Sequence, residues 1–213
     1  EGIVTERCED FVVKAEDGGK ALQSFRGEIE QIPPMHSALK VDGVPLYKLA
    51  RKGQTVARVP RKITVYSIEL TEFGADEIEL EIACSKGTYV RTIADDLGQI
   101  LACGAHITAL HRTQAGAFTE EDCVSTEFLM QEKEALGMQG IDEILVPMDR
   151  AISDLPEVIL PSLTASCLRH GQAVLVRHLP EEGLVRLYEE GQFIGIGSID
   201  DDGKVAPRRL IVN

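Results

Sequence analysis

No run of about 18 consecutive apolar residues occurs in the 213-residue sequence, which excludes a helical membrane span. Paired cysteines are missing as well. Cys8, Cys84, Cys103, Cys123 and Cys167 form an odd set with no CxxC, which suits reduced thiols in the cytoplasm and argues against a disulfide framework or a zinc site. His36, His106, His111, His170 and His178 are scattered, with no HxxxH or HExxH, so no metal is assigned. Internal repeats and low-complexity tracts are absent too. The chain opens on Glu1 rather than methionine, without a charged-then-apolar leader, and turn-like or strand-like sequence begins at once. It is therefore expected to be the later part of a longer protein.

What is present supports a folded body. Hydrophobic residues make up 44% and charged residues 27%, enough for a sizeable core in one medium domain plus a small appendage. The net charge of -13 disfavours a polyanionic partner on average. The distribution is uneven, however. Residues 34–62 carry Lys40, Lys48, Arg51, Lys52, Arg58, Arg61 and Lys62 against Asp42 alone, which leaves +6 there and -19 elsewhere. A basic segment on an acidic body localises phosphate affinity through counterion release. On charge alone, an ordinary solvated loop fits equally well.

Along the chain, apolar residues at helical spacing predict a helix over 19–32, stopped by Pro33-Pro34. Residues 34–62 read as a long loop with a helical turn around LYKLARKG. Runs 63–73 and 77–85 alternate as a hairpin, and 88–102 becomes helical with Ile93, Leu97, Ile100 and Leu101 on one face. A strand over 107–118 is expected to return to the sheet, followed by a helix capped at Ser125 or Thr126 and running to about Gly137. The proline-bearing stretch 147–161 reads as a connector. Short β-like runs, AVLVRHL, GLVRLYE, QFIGIGSID and RRLIV, then predict a small all-β module. The expected class is α+β: a mixed, mainly antiparallel sheet with flanking helices over 1–150, and a small all-β domain over 151–213.

Residues 84–98, CSKGTYVRTIADDLG, hold the densest chemistry. Adjacent helical residues point about 100° apart, so Asp95 and Asp96 do not converge on one atom and read as a solvated face. An ion pair from Arg91 to Asp95 is available at the i,i+4 spacing. Tyr89 and Arg91 sit in the first turn after a strand, where free backbone N–H groups favour an anion, and Lys86 on a Ser-Lys-Gly turn adds a cation. A tyrosine closing the core and an arginine paired to a neighbour remain the alternative. Cys103-Gly-Ala-His106 lacks an orienting third group, and the glycines of 191–200 precede no helix; neither is assigned a site.

Several long, colinear stretches resemble the TruB-type tRNA pseudouridine synthases, which isomerise the uridine at position 55 in the tRNA T loop. FRGEIEQIPPMHSALKVDGVPLYKLARKG resembles the segment leading into and through the family's RNA-gripping thumb, here 34–62. CSKGTYVRTIADDLG resembles a signature motif, CGAHITALHRT a strand lining the pocket, and GLVRLYEEGQFIGIGSIDDDGKVAPRRLIV a C-terminal RNA-binding domain of the PUA type. The resemblance implies that Tyr89 contacts the flipped uridine, that Leu110 packs on the base, and that Arg91 pairs with the catalytic aspartate. It further implies RNA contacts from Lys40, Lys48, Arg51, Lys52, Arg58, Lys86 and Arg112. No metal or cofactor is implied. The expected partner is the tRNA T-arm stem-loop, with no membrane, no obligate protein partner and a monomeric state.

One departure stands out. The family's nucleophilic aspartate lies in a Gly-x-x-Asp-Pro-x-Ala-x-Gly motif, which does not occur in these 213 residues. Taken alone the chain is therefore expected to be inactive. A non-catalytic RNA-binding module is the alternative.

Overall fold

A computed structural model describes residue 4 and residues 6–9, 11–177, 179–180 and 182–211; Glu1 and His178 lie outside these. The chain forms two compact units, residues 1–110 and 111–213.

In the first unit, helix α1 (Ala15–Gln23) ends where the Ser24 hydroxyl donates to Ala21 O. Of the helix predicted over 19–32, only residues 19–23 are helical, as the end of α1. Strand β1 (Gly27–Gln31) follows, paired antiparallel with β4 (Arg61–Phe73). Ile29 and Ile32 suggested continued helical spacing, yet Ile32 is exposed, while Ile29 packs on the core and Gln31 is buried at the two-residue period of a strand. Pairing with β4 overrides the local pattern. The predicted hairpin forms between β4 and β5 (Ile78–Cys84), giving the order β1-β4-β5. Helix α3 (Val90–Ile100) and α1 cover one face. Ala21, Leu22, Phe25, Ile63, Val65, Ile68, Ile93 and Leu97 form the core between them. The opposite face carries Glu28, Glu30, Glu79 and Glu81, all exposed, so the alternation is apolar-in and acidic-out.

Between β1 and β4, residues 34–62 form a two-residue ladder, β2 (Lys40–Val41) with β3 (Val44–Pro45), turned by Asp42-Gly43. Helix α2 (Leu46–Ala50) follows as the expected helical turn. Leu46 is 1% exposed, and that burial stabilises the segment by about 1.5–3 kcal/mol. The Leu46 N–H donates to Leu39 O at 2.7 Å and the Tyr47 N–H to Ser37 O at 3.0 Å, closing the segment on itself.

The strand expected over 107–118 does not join this sheet. Gln114–Ala115 (β6) pairs with Phe118–Thr119 (β7), because Gly116 turns the run back on itself. Further on, the Ser125 hydroxyl accepts the Phe128 N–H and caps α4 (Thr126–Leu136), as expected, with Gly137 at its end. A short α5 (Met138–Ile144) follows. The stretch read as a connector holds a 3-10 turn at Met148–Ile152 and an edge strand, β8 (Glu157–Leu160). β8 runs parallel to β9 (Gly183–Glu189). β10 (Gln192–Ile199) and β11 (Val205–Leu210) then extend the sheet in antiparallel fashion. One helix that periodicity did not reveal, α6 (Ser162–Arg169), packs Ala165 and Leu168 onto Val158, Leu160, Val185, Leu187, Ile194 and Val205. Its eight residues include Ser162, Thr164 and Ser166, which blur an apolar stripe in sequence.

Candidate nucleic-acid interface and active-site half

The Ser85-Lys86-Gly87-Thr88 segment joins β5 to α3, and each of its residues has a local reason. Ser85 holds the end of the sheet: its N–H donates to Thr64 O at 2.8 Å, and its hydroxyl accepts the Thr64 N–H at 2.9 Å. Gly87 has φ +88, which the third residue of a type II turn requires. The Thr88 hydroxyl closes the turn on Ser85 O at 2.9 Å. Lys86 is left exposed at its tip.

Tyr89 then sits at the N-cap of α3, half-buried, with no acidic side chain in the first turn. Its backbone is fixed from outside the turn. The Gln31 side chain accepts the Tyr89 N–H at 2.8 Å and donates through Nε2 to Tyr89 O at 3.1 Å. Gln31 did not stand out in the sequence, because a helix read over 19–32 hides the inward phase that strand β1 gives it.

Arg91 is exposed, and its guanidinium donates to His36 O at 2.9 Å. The Arg91–Asp95 pair that the spacing makes available is not formed: Asp95 instead accepts from Gln99 Nε2 at 3.3 Å. An arginine that reaches across to residues 33–37 cannot also lie along its own helix. Asp96 is held above the usual carboxylate range by burial, with the Asp95 charge adding to the effect. No hydrogen bond joins the two aspartates among the described residues.

Residues 33–37 form the foot of the basic segment and are gripped by their carbonyls. Arg58, half-buried, donates to Pro33 O at 3.2 Å, Arg91 holds His36 O, and the Tyr47 N–H holds Ser37 O. Further out, Lys40, Lys48, Arg51 and Lys52 are exposed, with Arg51 over the Tyr47 ring at 5.4 Å. Arg61 and Lys62 open β4, and Lys62 is paired with Glu28 at 2.9 Å. The structure thus brings Tyr89, Arg91, Lys86 and the foot of the basic segment to one end of the β1-β4-β5 sheet.

Gly98 explains how the chain leaves α3. A Cβ there would lie 2.3 Å from Gly104 C and Ala105 N, because residues 102–105 fold back over the helix. Cys103 and Gly104 both donate N–H to Gly98 O. Leu110, reached after this turn, is 68% exposed in irregular chain. Arg112 falls in the second unit, exposed on its first irregular residues. Among the described residues no cluster of three or more His, Cys, Asp and Glu could hold a metal ion, and no helix is long and apolar enough to cross a membrane.

Residues 1–90 match the family model of the TruB family pseudouridylate synthase N-terminal domain. Residues 91–153 match the tRNA pseudouridylate synthase B C-terminal domain, and residues 156–211 match the pseudouridine synthase II TruB C-terminal model. Among curated relatives, the tRNA pseudouridine synthase B of Vibrio parahaemolyticus is 50% identical over 199 residues, covering 90% of this chain and 63% of that protein. The Vibrio atlanticus protein of the same name is 47% identical over 211 residues, covering 95% and 67%. The chain thus spans roughly two-thirds of these relatives, and 62% of the one from Tolumonas auensis. Two solved structures share the fold. A chain of a Cbf5-Nop10-Gar1 complex superposes with TM-score 0.69 at 22% identity, over 94% of this chain and 64% of that one. A chain of an H/ACA RNP bound to a substrate RNA containing 2′-deoxyuridine gives 0.71 at 20% identity, over 95% and 62%.

Proposed function

The chain belongs to the TruB family of pseudouridine synthases, and from that membership we propose that it is the RNA-gripping portion and half the active site of a tRNA-modifying isomerase. The proposed reaction converts the uridine at position 55 of the tRNA T loop to pseudouridine. The N1–C1′ bond breaks, the uracil turns, and a C5–C1′ bond forms as the proton on C5 leaves and N1 gains one. The observation that carries the reading is the meeting of Arg91 with His36 O, which places the SKGTYVR turn at the foot of the basic segment.

In this reading each residue has one task. The target base leaves its stack at a cost of a few kcal/mol, and aromatic and apolar walls from Tyr89 and Leu110 offset part of it. Arg91 is charged and exposed, and gives up a neutral carbonyl for a carboxylate, which it keeps ionised and oriented. That carboxylate is not assigned within 1–213, since no Gly-x-x-Asp-Pro motif occurs there. Lys40, Lys48, Arg51, Lys52, Lys86 and Arg112 hold phosphates and carry little sequence information. Arg58 contributes from the foot, where it fixes Pro33. Residues 151–213 act as the PUA-type RNA-binding module. We further propose that the protein is cytoplasmic, acts as a monomer and needs no metal or cofactor.

The test is tritium release from a T-arm hairpin labelled at C5 of the target uridine. A protein restored to the relatives' full length is expected to release tritium, and the 1–213 chain alone is not. Release by 1–213 overturns its inactivity. Salt-sensitive binding without release by the longer protein favours the non-catalytic module.

A further inference from the structure

Gln31 is a polar side chain 4% exposed at the last position of β1, and both ends of its amide are used on a single residue. Its Oε1 accepts the Tyr89 N–H at 2.8 Å and its Nε2 donates to Tyr89 O at 3.1 Å. That carbonyl also receives the Thr92 and Ile93 N–H groups at 3.0 and 3.2 Å. The Tyr89 backbone is thus held on both sides of its α-carbon, as a neighbouring strand would hold it. With both flanking peptide groups fixed, the direction of the Cα–Cβ bond is fixed too. Two residues later Arg91 meets His36 O, so the stretch 31–36 sets the placement of both side chains assigned to the site.

We propose that Gln31 is a positioning residue for the modification reaction, aiming the Tyr89 ring through the Tyr89 backbone; this rests on the reading that Tyr89 lines the flipped base. A primary amide of this length supplies a donor and an acceptor side by side on one planar, uncharged group, matching the N–H and C=O of one residue. Asparagine is one methylene short, glutamate lacks the donor, and methionine fills the space with neither. Grip on the RNA comes from exposed cations, and the Gln31 amide spends both its ends on Tyr89 rather than on any of them. Its loss should therefore appear in turnover.

The experiment compares Gln31→Met and Gln31→Glu with wild type in the full-length protein, measuring kcat and KM for tritium release, thermal midpoint, and the pH profile. Gln31→Met is expected to lower kcat by about ten- to a hundredfold, the scale of a misplaced reacting group, with KM for the hairpin unchanged. Gln31→Glu is expected to lose less. Its deficit should shrink as pH falls, because a buried carboxyl protonates readily and its O–H then replaces the amide donor toward Tyr89 O. Wild-type kcat in Gln31→Met, or a Gln31→Glu profile parallel to wild type, overturns the proposal. A lowered thermal midpoint with unchanged kcat per folded molecule also overturns it, leaving Gln31 as packing alone. No tritium release by the wild type overturns the functional reading itself, and this inference with it.

Discussion

Replacing Arg91 by lysine in the full-length protein should lower turnover far more than hairpin affinity, because an ammonium lacks the planar fork that orients a carboxylate. Single-turnover rates set beside binding isotherms check this; equal losses would make Arg91 a general RNA contact. Asp96 gives a stability prediction of opposite character. Its folded carboxyl holds a proton to higher pH than the unfolded one, so stability falls as pH rises from the ordinary value of 3.8 through the raised one. Asp96→Asn should therefore raise the thermal midpoint at neutral pH, with the gain vanishing below pH 3.8. That Tyr89, Arg91 and Lys86 stand together was readable in the motif, since each lies on one short strand-to-helix turn. Gln31 was not readable, for its meaning depends on a partner 58 positions away.

At the scale of elements, the basic segment is the natural object of mutation. Reversing Lys48, Arg51 and Lys52 together should weaken T-arm binding and flatten its salt dependence, by about 0.7–0.9 in logarithmic slope for each phosphate no longer neutralised. Fluorescence anisotropy across a potassium chloride series reads both; unchanged binding would remove the segment from the interface. Helix α3 offers a separate test. Gly98→Ala must push residues 104–105 off the helix, and should cost about 1–3 kcal/mol in chemical denaturation. The β4–β5 hairpin, with its clean period, and α4, with its Ser125 cap, could be read from sequence alone. β1 and β8 could not. Five and four residues long, they owe their form to the strands they pair with, and local spacing near proline suggested otherwise.

Over the whole molecule, the two compact units should respond differently to acid. In the second unit Asp122 is held low chiefly by the Thr119 N–H, helped by Arg150, and Glu189 is held low by Arg169. Depressed carboxylates stabilise above their ordinary values and lose that contribution as pH falls through the folded ones. Asp96, in the first unit, shifts the other way. Backbone amide exchange followed from pH 6 downward should thus show 111–213 loosening first; simultaneous loss would contradict this. The division of charge was evident from composition, while the division into units at residue 110 was not, since the irregular chain there carries no proline or glycine cluster. The C-terminal sheet has a last consequence, for self-association. Its outer strands are β8 and β11, whose edges another chain could extend except at Val205, which already bridges to Val174. β8 exposes Ile159 yet is bracketed by Pro156 and Pro161, and β11 carries Pro207 within its length. Any added strand meets a missing donor within a few residues on either side, which hinders crowded copies of the chain from zipping into a shared sheet.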